Sequence, residues 1–282
     1  MNIRIAKVVD PFGNMIGITG TAQDAKERAV EYQPSETAMS VAFCRALAAR
    51  EERTEIKGPD YMAELFLTEE AKKPLKDGVS RNWAIQKLVT APLYGYVLAR
   101  TVFFDEIFKE ALAENIPQIV FLGAGYDTRA YRYRELIQNT QIYELDIQST
   151  QNKKTAVLKG SNISIPKQVS LVNINFKIDR ISDVLRNAGY SQTAKTLFIW
   201  EGVTYYLTEE AINRTLSFIK SQSPKESAIC FDYATDKLES FNAAEPFQFH
   251  VGRDGMAHFL RISGLRLLNI WIQKRWREDI SP

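Results

Sequence analysis

Hydrophobic and polar positions change rhythm along the chain near residue 115. Before it, apolar residues recur at helical intervals with short interruptions. Over 35–50, Ala38, Val41, Ala42, Leu47 and Ala48 fall mostly at that spacing, and Ser35 is placed to cap the start. Lys57-Gly58-Pro59-Asp60 and Asp77-Gly78 are breaks, and Pro92 divides or kinks a third helical stretch. Residues 94–113 then carry Tyr94, Val97, Leu98, Val102, Phe104, Ile107, Phe108 and Leu112, the pattern of a long buried helix.

After Pro117 short apolar runs alternate with amphipathic stretches. The runs lie at 119–122, 142–145, 169–174, 197–200 and 228–231. Between them, 129–138, 148–159, 180–188 and 209–221 are each long enough for a crossover helix. This order predicts an α/β fold, a parallel sheet with helices on both faces. A further helix is expected over 253–262 with Gly264 as its stop, then a last apolar strand over 265–272. Lys274-Arg275-Trp276-Arg277 reads as a solvated strand end.

Composition narrows the class without naming a function. The 282 residues are 45% hydrophobic, and a chain of about 300 residues buries roughly three quarters of its unfolded surface, so the core needs no staples. Thirty-six basic side chains against 34 acidic ones leave a net charge of +2, which argues against nucleic acid gripped across a basic face. No apolar run reaches about 18 residues, and the opening MNIRIAKVVDPFG lacks the apolar core of a secretory signal. Cys44 and Cys230 stand far apart in apolar contexts and form no metal or redox spacing. These features point to a cytoplasmic protein with two buried thiols and no metal site.

The most informative stretch is 118–129, where Gln118-Ile119-Val120-Phe121-Leu122 runs into Gly123-Ala124-Gly125 ahead of a helix. Glycines there allow a tight turn and a close approach of backbone to ligand, at the sheet edge where open α/β folds bind. Thr128 stands where a dinucleotide fingerprint has its third glycine, which disfavours a pyrophosphate. Asp146, about 20 residues on, ends the second strand, where a carboxylate can accept from both ribose hydroxyls. An adenosine-type cofactor without a pyrophosphate fits these features, and both NAD and S-adenosylmethionine carry the ribose.

LGAGYDTRAYR, YELDIQSTQNKKTAVL and FIWEGVTYYLTEEAI together resemble the S-adenosylmethionine-dependent methyltransferases related to leucine carboxyl methyltransferase, a group that includes polyketide O-methyltransferases. The resemblance covers most of the chain, from SETAMSVAFCRALAA through YVLARTVFFDE to GLRLL. It implies a Rossmann-like seven-strand sheet whose last strand is antiparallel, forming a methyltransferase core over 116–282 under a helical cap over 1–115. It also implies S-adenosyl-L-methionine as cofactor and a small-molecule carboxylic acid or phenol as acceptor, with neither nucleic acid nor membrane as partner.

The resemblance assigns roles residue by residue. Arg100 holds the cofactor carboxylate, which suits the bidentate geometry of a guanidinium, and Arg45 is a second candidate for that role. Gly123 and Gly125 line the methionine and ribose portion, and Asp146 holds the ribose hydroxyls. Asn175 and Phe176 stand where relatives have an Asp-Leu pair beside the adenine; the amide can both accept and donate there. Glu201 lies near the cofactor's amino group, with Tyr205 and Tyr206 facing cofactor or acceptor. A carboxylate acceptor needs no general base, whereas a phenol, with a pKa near 10, is helped by one; His250 and His258 are the obvious side chains. Two other readings stay open: a nicotinamide-dependent oxidoreductase on a similar sheet, and a relative that binds the cofactor without turnover.

Overall fold

The computed structural model describes residues 8–9, 15–16, 36–176, 178–235, 247–252 and 255–266. Five strands form the central sheet: β1 (Gln118–Leu122), β2 (Gln141–Asp146), β3 (Val169–Asn173), β4 (Thr196–Trp200) and β5 (Ala228–Phe231). They lie in the order β3-β2-β1-β4-β5, and every pairing is parallel. β1 and β4 are buried along their whole length, which explains apolar runs without alternation. Connections leave β1 first towards β2 and later reach β4 on its other side, so the sheet has its switch point at the carboxyl ends of β1 and β4.

The helices that frame this sheet are α1 (Glu36–Ala49), α2 (Gly78–Ala84), α3 (Ala91–Ala113), α4 (Gln148–Gly160), α5 (Ile181–Asn187), α6 (Glu209–Ser221) and α7 (Met256–Ile262). Phe104 and Phe108 of α3 and Leu158 of α4 pack on Ile119, Phe121, Ile142 and Ile199 of one sheet face. Leu185 of α5, with Ile212 and Leu216 of α6, covers Val120, Leu122, Phe198 and Trp200 on the other. A third cluster lies inside the helical region, where Phe43 and Leu47 of α1 meet Phe66, Val97 and Tyr126. Tyr126 stacks on Phe66 with ring centroids 4.7 Å apart, so the loop after β1 is clamped to the helical region that precedes it.

The sequence-based expectations need several corrections. Among the described residues the sheet has five parallel strands, not seven with an antiparallel last one. Gly264 does end α7, with Leu265 N–H donating to Leu260 O at 2.9 Å, but Leu265 and Arg266 follow as irregular backbone. The rest of the expected last strand, and the basic cluster at 274–277, lie outside the described residues. The first region is not wholly helical: Val8–Val9 pairs antiparallel with Met15–Ile16. The helix expected over 129–138 is one turn, Arg129–Arg132, followed by a 3-10 turn, Arg134–Leu136, because Arg129 and Arg132 turn into buried ion pairs instead of lining an amphipathic face. Pro92 opens α3, in the first turn, where its missing N–H costs nothing.

Candidate active site

At the switch point the loop after β1 is built against β2. Gly123 and Ala124 N–H both donate to Leu145 O, at 2.9 and 2.8 Å, and Gly125 N–H donates to Asp146 Oδ2 at 2.6 Å. Those three donors are therefore spent on the fold. The loop offers a ligand close backbone and space, not a nest of N–H groups. Gly123 has φ +80°, and a Cβ there would stand 2.7 Å from Val203 Cγ2, so no side chain fits between the β1 and β4 loops.

Asp146 is half-buried at the end of β2. Burial raises its pKa from the ordinary carboxylate range, opposed by the N–H groups of Gly125 and Ile147, the latter 2.8 Å from Oδ1. Each oxygen has a further lone pair, so a pair of adjacent hydroxyls is a fitting ligand for this carboxylate.

Arg100 reaches the sheet edge from α3, the helix that precedes β1. Its Nε lies 2.9 Å from Glu201 Oε1, and its Nη1 lies 3.1 Å from Asp232 Oδ2 and 3.0 Å from Tyr205 Oη. The guanidinium carbon sits 5.3 Å from the Tyr96 ring centre. Burial alone would lower its pKa, but Tyr205, Asp232 and Glu201 hold it well above the usual value. Gly202, with φ +73°, lets backbone pass beside it: a Cβ there would come within 3.1 Å of Nη1.

Behind this cluster runs a buried ladder of ion pairs. Arg129 bridges Asp127, Asp105 at 2.7 Å and Glu201 Oε2 at 2.7 Å. Arg132 holds Asp105 at 2.6 Å and approaches Asp60 at 3.4 Å; Asp60 then pairs with Arg45 at 3.0 Å. Arg45 also donates to Tyr126 O at 3.0 Å, so its guanidinium is fixed to the loop after β1 and to Asp60. Thr128, at the third-glycine position, donates to Asp60 Oδ1 at 2.7 Å and is fully buried.

The structure thus joins Gly123, Gly125 and Asp146 in one hydrogen-bonded loop, and Arg100 and Glu201 in one ion-pair cluster, at the same sheet edge. Asn175 follows β3 at that edge, its N–H donating to Asp179 Oδ2 at 2.8 Å. Phe176 lines a cavity of about 210 Å³ between α5 and α6, beside Leu207 and Phe218. Tyr205 and Tyr206 pack on Phe247, each with ring centroids 5.0 Å away, forming an aromatic wall beyond Glu201. His250 and His258 are exposed, and His258 Nδ1 lies 3.0 Å from Arg261. Sequence reasoning missed Asp232 and Tyr96. Asp232 had a signal: like Glu201, it is an acid directly after an apolar strand. Tyr96 had none, since it reads as one more aromatic on a helix.

Among the described residues no helix is long and apolar enough to cross a membrane. The family model described as leucine carboxyl methyltransferase matches residues 38–220. A Bacillus subtilis protein named as an S-adenosyl-L-methionine-dependent methyltransferase, YktD, is 36% identical over 141 residues, which is 50% of this chain and 46% of YktD. The chain thus spans about half of that relative's length. A Mycolicibacterium smegmatis protein named as an S-adenosyl-L-methionine-dependent methyltransferase is 31% identical over 202 residues, 71% of this chain and 66% of its own. Among solved structures, an O-methyltransferase family protein from Burkholderia thailandensis aligns over 64% of this chain and 56% of its own, with 11% identity and a TM-score of 0.44.

Proposed function

Since the chain belongs to the leucine carboxyl methyltransferase family, and relatives such as YktD carry S-adenosyl-L-methionine in their names, we propose that it is an O-methyltransferase using that cofactor. The observation that carries this reading is the Asp146 carboxylate, presented at the end of β2 by the N–H groups of Gly125 and Ile147 beside a loop too tight for a side chain. Bound there, the cofactor supplies a methyl group on a sulfonium, ready for in-line displacement by an oxygen nucleophile.

The chain's own residues divide the work of binding. Asp146 takes the ribose hydroxyls, and Gly123 and Gly125 let the ligand lie against backbone. Arg100 takes the carboxylate, with Glu201 holding Arg100 and Arg129 at the amino-acid end of the site. Asn175 and Phe176 stand at the adenine end. The acceptor is a small-molecule carboxylate or phenol, with the aromatic wall of Tyr205, Tyr206 and Phe247 on its side of the site. A carboxylate acceptor is already a nucleophile at neutral pH, so positioning is the larger part of catalysis. The helical region 1–115 acts as a cap over a core at 116–282. With free cysteines at Cys44 and Cys230, the protein is suited to the reducing cytoplasm.

The oxidoreductase reading gains nothing from the geometry. A pyrophosphate needs donors at a helix N-terminus, and here the loop's N–H groups are spent on β2 and the helix that follows is a single turn. Thermal unfolding with S-adenosylhomocysteine beside NAD(H) tests the proposal. At about 100 times its dissociation constant a ligand stabilises by about 2.7 kcal/mol. Stabilisation by NAD(H) alone would overturn it.

A further inference from the structure

The cavity between α5 and α6 has no part in the work assigned so far. Both helices cover the sheet face opposite the one on which α3 packs, so the cavity lies across the sheet from the helix that carries Arg100. Of the residues placed at the cofactor, Phe176 alone lines it. Its volume of about 210 Å³ is below the roughly 300–1,000 Å³ that drug-sized ligands fill, so it suits a single ring with a short substituent.

The lining divides by chemistry. Phe176, Leu207 and Phe218 are half-buried and form an apolar wall. Arg180, directly before α5, and Arg214, within α6, are exposed and share the lining. Neither guanidinium is tied down. Arg180 enters no ion pair among the described residues. Arg214 has one, with exposed Glu210 a turn before it at 3.5 Å, and an exposed pair of this kind holds a side chain weakly. Asp179 is the carboxylate on the lining, and its Oδ2 already accepts from Asn175 N–H at 2.8 Å. Two cations against one anion leave the lining a positive charge in surplus.

We propose that this cavity binds a small aromatic carboxylate. The ring lies against Phe176, Leu207 and Phe218, and the carboxylate accepts charge-assisted hydrogen bonds from the guanidiniums of Arg180 and Arg214. Other ligands use half of the lining. A neutral ring such as adenine gives the guanidiniums nothing to pair with, and inorganic phosphate leaves the apolar wall bare. The site is therefore a second one, distinct from the places proposed for cofactor and acceptor.

Calorimetry on the full chain tests the site with three probes: benzoate, its uncharged isostere benzamide, and inorganic phosphate. Benzoate is expected to bind about tenfold more tightly than either, the worth of one hydrogen bond to a charged group. Arg180→Gln and Arg214→Gln, both at exposed positions and checked for folding by thermal unfolding, are each expected to weaken benzoate about tenfold and to leave benzamide unchanged. Saturating S-adenosylhomocysteine is expected to leave the benzoate affinity as it was. The proposal is overturned if benzoate does not bind, if it binds no better than benzamide or phosphate, or if either substitution leaves its affinity unmoved. Displacement of benzoate by S-adenosylhomocysteine overturns it too, and assigns the cavity to the cofactor. Should S-adenosylhomocysteine not bind at all, the cofactor reading falls, while the two substitutions still decide this one.

Discussion

Arg129→Met is the most direct probe of the buried ladder. Arg129 is 1% exposed, and its guanidinium faces Asp105, Asp127 and Glu201 while also donating to Thr101 O at 3.2 Å. Methionine keeps much of the volume and removes the charge. The three carboxylates do not suffer equally. Asp105 retains Arg132 at 2.6 and 2.8 Å, and Glu201 retains Arg100 at 2.9 Å. Asp127 is left with the backbone N–H of residue 129, at 2.8 Å. One carboxylate is therefore stranded, not three, and the expected loss is that of a single broken buried pair, about 3–5 kcal/mol. At roughly 2–4 °C per kcal/mol, Tm should fall by about 10 °C.

The loss should also depend on pH, with a defined sign. In wild type, burial would raise the Asp127 and Asp105 carboxyls, but Arg129 facing both, and Arg132 facing Asp105, hold them below the ordinary range. Groups held low stabilise the fold at neutral pH, and that stability is lost as pH falls through the folded pKa. Without the Arg129 guanidinium, burial is opposed by Lys154, Arg45 and the backbone N–H of residue 129 alone, and the pKa of Asp127 moves up. The variant then gains stability, relative to wild type, as pH falls from 8 towards about 4 and Asp127 takes up a proton. Urea denaturation across that range measures the gap. A loss below about 1 kcal/mol, or a gap constant with pH, would refute the argument.

Gly123→Ala should cost more than Gly189→Ala. Both positions have positive φ, +80° and +91°, which costs an L-residue about 1–2 kcal/mol, but only Gly123 adds a contact, Val203 Cγ2 at 2.7 Å from the new Cβ. Equal losses in thermal unfolding would show that the Val203 contact is relieved without cost. Lys154→Met should destabilise by about 3–5 kcal/mol, because Glu144, paired to it at 2.7 Å with both side chains 1% exposed, is left buried with the neutral Tyr131 hydroxyl at 3.1 Å and no cation. Adding Glu144→Gln should recover most of that loss in denaturant titration, and a strictly additive double variant would contradict the pairing.

The sheet was legible because its central strands β1 and β4 are buried along their whole length: each of the five runs between 119 and 231 matches an observed strand to within one residue at each end, whereas the run expected over 265–272 opens on irregular backbone at Leu265 and Arg266 and otherwise lies outside the described residues. Elements whose residues serve chemistry instead of packing were not. The helix expected over 129–138 dissolves into short turns because Arg129 and Arg132 point into the ladder, and no hydrophobic count registers that. At the candidate site, Gly123, Gly125 and Asp146 carry their spacing openly. Asp232 does not, since it reaches Arg100 from 132 residues further along the chain, and Tyr96, one turn before Arg100 on α3, reads as one more helix aromatic. The resemblance supplied one strand beyond the six that periodicity named, and among the described residues the sheet has five.

Arg100 and Asp105 sit one and a half turns apart on α3, while their counter-ions belong to loops that follow β1, β4 and β5. The consequence is for anyone exchanging parts between relatives. A cap transplanted without a matching arginine and aspartate would leave Arg129, Glu201 and Asp232 facing the wrong charges, and a core expressed from residue 116 would lose Arg100 and Asp105 altogether. On the proposed reading, new acceptor preferences are better sought at Tyr206 and Phe247 than at Tyr205, whose hydroxyl accepts from Arg100 at 3.0 Å.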